Sequence, residues 1–249
     1  MSGPWLADDI RAPVPATATW QLFCFAHAGG GPLLFRPWRA ALAPDIAVRP
    51  VLLPGRERRL HETPFRRVAP LLDPLCAALA PHLRPPYAFF GHSMGAVIAY
   101  EAARRLAASP AGGPACLGGS GGPAPDRGRD RGLSRLPDAE FTEVVGQLNG
   151  TPAEILAEPD LLSMLLPVLR ADFELAETYR PLPGARLDCR VAAYLGAADP
   201  DVSRADMLAW RDVTSGEFTM RVFRGDHFYL REGQADVLAA LRSDISDLE

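Results

Sequence analysis

The sequence predicts an α/β protein with a mostly parallel central sheet, helices on both faces of it and one helical insertion. Three observations carry this: short β-type runs alternate with helical patterns, turn residues close each run, and one stretch lacks strands altogether. In chain order the strand runs are Trp20 to Ala26, Ala47 to Leu53, Tyr87 to Phe90, Arg190 to Leu195 and Phe218 to Phe223, each rich in aromatic, β-branched or other apolar residues. Helical spacing of apolar residues marks Val68 to Leu83, Ala96 to Ala108 and Ala235 to Leu248. Strands joined through helices imply right-handed crossovers, which make the sheet parallel and cover both its faces. Asp138 to Tyr179 instead reads as two or three consecutive helices, with Pro152, Pro159 and Pro167 near their starts. It lies in an insertion over residues 135–182 of a single domain spanning residues 1–249, and stands either as a lid over a site or as surface helices completing the fold. Pro110 to Arg135, rich in Gly, Pro and Arg, reads as an irregular connection.

Composition removes several function classes. All 26 basic residues are Arg, so a Walker lysine, a Schiff-base lysine and the strand lysine of a protein kinase are excluded. A formal charge of −4 supplies no positive field for nucleic acid, and no nucleic-acid partner is expected. Cys24, Cys76, Cys116 and Cys189 lie far apart with no C-x-x-C pair, which reads as reduced thiols, with neither disulfides nor a metal site. Met1 to Pro15 carries Asp8, Asp9, Arg11 and prolines where a signal peptide needs an apolar core, and no later run approaches about eighteen apolar residues. A cytoplasmic protein without a membrane segment is the expectation, and a monomer.

Two segments match the nucleophile-elbow pattern G-x-S-x-G: Gly91-His92-Ser93-Met94-Gly95 and Gly118-Gly119-Ser120-Gly121-Gly122. The elbow needs a strand before the serine and a helix directly after it, so that a sharp turn lifts the hydroxyl to the carboxyl edge of the sheet. Tyr87 to Phe90 and the run from Ala96 provide that context for Ser93. Ser120 follows only the weak run Ala115-Cys116-Leu117 and precedes Gly121-Gly122-Pro123, where no helix starts promptly; it reads as a flexible strand-end loop and stays as the second candidate nucleophile.

A bare G-x-S-x-G arises by chance at roughly a tenth of an occurrence in a chain this rich in glycine, so Ser93 needs partners. In the order typical of α/β-hydrolases the acid follows the serine and the histidine comes last. His27, His61, His82 and His92 all precede Ser93, which leaves His227 in Gly225-Asp226-His227-Phe228 after the last strand run. For the acid, Asp199 leaves the strand Arg190 to Leu195 and is the first choice, with Asp201 two residues on as the alternative; Asp188 lies at the wrong end of the sheet. After the first strand, His27-Ala28-Gly29-Gly30-Gly31 forms a loop whose main-chain N–H groups can face a small anion. The N–H of Ala28 paired with that of Met94, the residue after the serine, is the expected oxyanion hole.

The loop after the second strand, Pro54-Gly55-Arg56-Glu57-Arg58-Arg59, should sit at the same rim, and five arginines fall between Arg56 and Arg67. Arg56, Arg58 and Arg59 are candidate contacts for a phosphate or an acidic partner; the alternative is a solvated loop paired with Glu57 and Glu62.

Together these pieces resemble the type II, or editing, thioesterases of polyketide and nonribosomal peptide synthesis, within the α/β-hydrolase fold. The resemblance spans nearly the whole chain and is carried by Phe25-Ala26-His27-Ala28-Gly29-Gly30, Leu53-Pro54-Gly55-Arg56-Glu57-Arg58-Arg59, Gly91-His92-Ser93-Met94-Gly95-Ala96, Leu166-Pro167-Val168-Leu169-Arg170-Ala171-Asp172 and Gly225-Asp226-His227-Phe228-Tyr229-Leu230. It implies hydrolysis of acyl thioesters from the phosphopantetheine arm of acyl or peptidyl carrier protein domains of a biosynthetic megasynthase, through a Ser-His-Asp triad and with no cofactor of the protein's own. It also implies that the insertion is a lid, with Leu162, Leu165, Leu166 and Leu169 as candidate lining of an acyl pocket; leucines at helical spacing are as often plain packing. The sequence departs from the family most at Ala115 to Arg135, where Gly-Gly steps replace a regular apolar strand. The rival functions are a general carboxylesterase, a chain-releasing thioesterase or cyclase, and a non-catalytic ligand-binding protein of the same fold.

Overall fold

The computed structural model describes residues 5–7, 17–148, 150 and 158–246. Six strands form one sheet: β1 (Trp20–Phe25), β2 (Ile46–Pro50), β3 (Tyr87–His92), β4 (Cys116–Ser120), β5 (Arg190–Gly196) and β6 (Phe218–Phe223). Their order is β2-β1-β3-β4-β5-β6, and every neighbouring pair is parallel. Helices α1 (Arg36–Leu42), α2 (Val68–Leu79), α3 (Met94–Leu106), α4 (Asp138–Gln147), α5 (Pro159–Glu177), α6 (Arg204–Leu208) and α7 (Gln234–Ser246) fill the connections.

Alternation along each strand sends side chains to two cores. Phe23, Phe25, Phe89, Leu117 and Ala193 pack with residues of α2 and α3, while Leu22, Cys24, Phe90, Cys116 and Tyr194 pack with residues of α1 and α7 on the other face. The chain leaves β1 for β2 on one side and returns across β1 to β3. The strand order therefore reverses between β1 and β3, and in an open parallel sheet the crevice at the carboxyl ends of such strands is where ligands bind.

The segment read as irregular between Pro110 and Arg135 contains β4, a fully buried strand between β3 and β5. Its glycines hid it, and they have a packing reason. A Cβ on Gly118 would stand 3.0 Å from Phe90 and 3.1 Å from Tyr194, and one on Gly119 would stand 3.2 Å from Trp210. Large rings on the neighbouring elements occupy the space that side chains of β4 would fill. The short helices α1 and α6 leave no periodic pattern in the sequence, each spanning too few turns to repeat one.

In the insertion, α4 and α5 lie where consecutive helices were expected, and Pro159 opens α5. Pro167 does not begin a helix, since α5 runs through it for 19 residues. Pro152, most of Met1 to Pro15 and Leu248 lie outside the described residues. Phe141, Val145 and Leu169 form a small core between α4 and α5. The base of the insertion is tied down by two buried carboxylates. Glu177 accepts the N–H groups of Leu133 and Ser134 and the Ser134 hydroxyl, while Glu101 of α3 accepts the Tyr179 hydroxyl at 2.6 Å and the Leu182 N–H at 3.1 Å. Among the described residues no helix is long and apolar enough to cross a membrane.

Candidate active site

Ser93 sits between β3 and α3 with φ 55° and ψ −119°, a backbone conformation that non-glycine residues rarely adopt. The turn is possible because its flanks are glycine. A Cβ on Gly91 would lie 2.1 Å from the Gly95 carbonyl oxygen, and one on Gly95 would lie 2.2 Å from the Phe25 carbonyl oxygen. The Ser93 N–H donates to the Ser120 carbonyl at 2.7 Å, which anchors the turn to the end of β4. Ser93 is half-buried, at the start of the helix on the carboxyl edge of the sheet.

His227 follows β6, and its Nδ1 lies 2.8 Å from the Oδ2 of Asp199, which follows β5. Backbone contact brings these two loops together, since a Cβ on Gly196 would lie 2.1 Å from the Asp226 carbonyl oxygen. The other Asp199 oxygen accepts the N–H groups of Asp201 at 2.9 Å and Val202 at 3.1 Å. This fully buried carboxylate is thereby held in one orientation. Asp201, the alternative acid, instead pairs with Arg131 at 2.6 Å.

Ser120 occupies a different environment. It is fully buried, its hydroxyl lying 2.6 Å from the Tyr229 hydroxyl and 2.9 Å from Nδ1 of His92. The expected flexible loop is thus a hydrogen-bonded strand end. Burial, and then the neighbouring His227 and His27, hold His92 well below the ordinary histidine range. His27 is likewise pushed down, to about 3, by burial first and then by His227, Arg231 and Arg56. Both are therefore neutral near pH 7, so His227 has two uncharged histidines around it; its ring centroid is 5.2 Å from that of His92.

A cavity of about 380 Å³ opens over these residues. His27, Ala28, Ser93, Met94 and His227 line its reactive end, and Val145, Leu148, Leu169 and Phe173 bring the insertion down onto it. Of the four leucines expected there, Leu169 alone lines the cavity. Leu165 and Leu166 turn toward the small core around Phe141, and Leu162 is only half-buried elsewhere on the helix. Val145, Leu148 and Phe173 were missed because a 3.6-residue repeat says which residues share a face, not which face meets the cavity.

Two of the three candidate arginines, Arg56 and Arg59, do not face outward to meet an anion. Arg56 is buried and donates to both oxygens of Asp172 on α5, at 2.9 and 2.8 Å. Arg59, 2% exposed, is bidentate on Glu62, donates to the Leu52 carbonyl at 3.0 Å and lies over the Trp5 ring. Neither is available to an external anion, because both side chains are buried and their donors already serve acceptors within the protein. Arg58 is exposed. Arg66 and Arg67 reach Glu174 on α5 at 2.6 and 2.5 Å. The cluster mainly fastens the loop to the insertion.

Comparison with known proteins agrees with this architecture. A family model described as "Thioesterase domain" matches residues 20–245. The protein named linear gramicidin dehydrogenase LgrE of Brevibacillus parabrevis is 41% identical over 97% of this chain and 92% of its own length. Thioesterase PikA5 of Streptomyces venezuelae is 36% identical over 99% of this chain and 85% of its own. Among solved structures, the type II thioesterase BorB from the borrelidin biosynthetic cluster superposes with a TM-score of 0.89 at 37% identity, covering 100% of this chain and 99% of that one. The chain belongs to the thioesterase domain family, with the α/β-hydrolase fold of its structural neighbours.

Proposed function

We propose that this chain is a type II editing thioesterase that hydrolyses acyl groups from the phosphopantetheine arm of carrier protein domains in polyketide or nonribosomal peptide synthesis. The observation that carries the proposal is the His227 imidazole, held by a buried, doubly anchored Asp199, on the wall of the cavity that the Ser93 elbow also lines. His227 takes the Ser93 proton as the serine oxygen attacks the thioester carbonyl. The Ala28 and Met94 N–H groups hold the oxyanion, the carbon–sulfur bond breaks, and the pantetheine thiol leaves with that proton. Water activated by the same His227 then cleaves the acyl-serine, releasing the acid and restoring the hydroxyl. Asp199 fixes the tautomer with Nδ1 protonated. This chemistry needs no metal and no redox cofactor.

The acyl group lies against Leu169, Phe173, Val145 and Leu148, where apolar surface is removed from water. Relatives named from biosynthetic pathways, gramicidin S biosynthesis protein GrsT and a probable cadicidin biosynthesis thioesterase among them, support the biosynthetic setting. One relative's name specifies a dehydrogenase. The glycine run of this chain, Gly29-Gly30-Gly31, does not suit a dinucleotide, because it lacks the G-x-G-x-x-G spacing of a dinucleotide-binding turn. Of the three rim arginines, Arg58 remains as a carrier contact.

The test compares release of free acid from a short acyl group on a carrier protein with cleavage of a p-nitrophenyl ester, for wild type and Ser93→Ala. Serine-dependent preference for the carrier-bound thioester is expected. Ester cleavage with an inert thioester overturns the editing function in favour of a general esterase, and turnover of neither favours a binding protein.

A further inference from the structure

Asp172 reaches from α5 into the loop after β1 and is 2% exposed. Its Oδ2 accepts the Gly29 N–H at 2.7 Å and Nη1 of Arg56 at 2.9 Å, while its Oδ1 accepts Nη2 of Arg56 at 2.8 Å. The same Arg56 Nη1 donates to the Gly30 carbonyl at 2.8 Å. One buried ion pair thus holds a donor and an acceptor of a single tight turn. That turn is closed by the Gly30 N–H on the His27 carbonyl at 2.9 Å, and Gly29 takes φ 75°, the sign a type II turn requires at its third position. Ala28 is the second residue of the turn. With the Gly29 N–H and the Gly30 carbonyl both clamped, the direction of the Ala28 N–H is fixed by the backbone around it.

We infer that Asp172 and Arg56 are positioning residues that aim the Ala28 N–H, so that the seating of the insertion helix and the geometry of the oxyanion donor are one coupled variable. This rests on the proposed role of Ala28. Glu174, two residues further along α5, supplies a control in the molecule itself. It fastens the same helix to the same arginine loop through Arg66 and Arg67, and these bonds do not involve the His27–Gly31 turn.

The experiment measures kcat and KM on an acyl-pantetheine thioester and on a p-nitrophenyl ester, together with the affinity of an alkyl boronic acid, whose adduct with serine mimics the tetrahedral oxyanion. Asp172→Asn keeps the shape and an acceptor for Gly29 but removes the charge facing Arg56. Its kcat is expected to fall at least about 30-fold with KM within about threefold, and boronate affinity to fall by the same factor, because the lost interaction belongs to the transition state. Glu174→Gln is expected to stay within about twofold of wild type on all three, as an exposed pair contributes little. Arg56→Lys, which keeps the charge but not the bidentate geometry, is expected to lose at least about fivefold in kcat with a parallel boronate loss. It is read on the same terms if Asp172→Asn fails to fold by circular dichroism. Wild-type kcat and boronate affinity in the folded variant overturn the inference, as do equal losses in Asp172→Asn and Glu174→Gln. A wild type that cleaves the ester but not the thioester counts against the proposed substrate instead, and the variants are then compared on the ester.

Discussion

The chain contains the same five-residue pattern twice, on adjacent parallel strands whose ends are hydrogen-bonded to each other, and the two copies do opposite things. At Gly91–Gly95 the strand ends in a strained residue and α3 begins at once, leaving the Ser93 side chain at the cavity wall. At Gly118–Gly122 the serine is the last residue of β4, and its hydroxyl is consumed by His92 and Tyr229. The pattern alone carries little information. The next element of the chain decides whether the hydroxyl is lifted out of the sheet or kept within it, and only the first copy has a helix ready to turn the chain.

The largest expected difference between the copies is in activity. Ser93→Ala should lower hydrolysis of acyl-pantetheine thioesters by at least about a thousandfold, whereas Ser120→Ala should stay within about tenfold, as measured by acid release under saturating substrate. Ser120→Ala should instead lose about 1–3 kcal/mol of stability in urea unfolding, since it leaves the Tyr229 hydroxyl and His92 Nδ1 without their shared partner. Similar activity losses in both variants would erase the distinction.

Next in size is the response of the glycines. Gly95→Ala drives a methyl into the Phe25 backbone carbonyl at 2.2 Å, where nothing flexible can give way, and should destabilise by more than about 3 kcal/mol or prevent folding. Gly118→Ala meets ring atoms of Phe90 and Tyr194 at 3.0 and 3.1 Å, which shift by small rotations, and should cost about 1–3 kcal/mol. Thermal melts of the two single variants rank them directly. A melt for Gly95→Ala equal to that of Gly118→Ala would mean that the elbow is looser than its contacts imply.

The same contrast separates the parts of the molecule that were legible in the sequence from those that were not. The order of strands and helices followed from periodicity, and the glycine-flanked Ser93, the late His227 and Asp199 followed from their places relative to those strands. β4 was obscured because its packing volume resides in Phe90, Tyr194 and Trp210, far away in the sequence. The buried end of Arg56 was equally hidden, since an arginine-rich loop has the same composition whether its partner is solvent or the carboxylate of Asp172, whereas the Glu62 partner of Arg59, three residues on, was legible in the sequence. Partners brought in by tertiary contact leave no local trace. The leucines of α5 share that limit: Leu169 differs from Leu162 only in where the helix is docked.

The smallest expected effect tests the link between the copies, because His92 belongs to the first pattern and bonds to the serine of the second. His27 and His92 are both held neutral by burial, His27 with its midpoint lowered from the ordinary 6.5 to about 3. In the unfolded chain both return to ordinary values. Between those limits the unfolded state binds more protons than the folded one, so stability is fully present above about pH 6.5 and declines as the pH falls toward the folded midpoint. Each histidine contributes a slope of up to about 1.4 kcal/mol per pH unit in that window. Urea unfolding of wild type, His27→Gln and His92→Gln at pH 7, 6 and 5 separates this contribution from that of the carboxylates, which all three share. Each variant should be less stable than wild type at pH 7 and should converge on it by pH 5, because the variant no longer has a buried imidazole that resists protonation. A constant gap across the three pH values would place the protons elsewhere and leave the Ser120–His92 contact as packing alone.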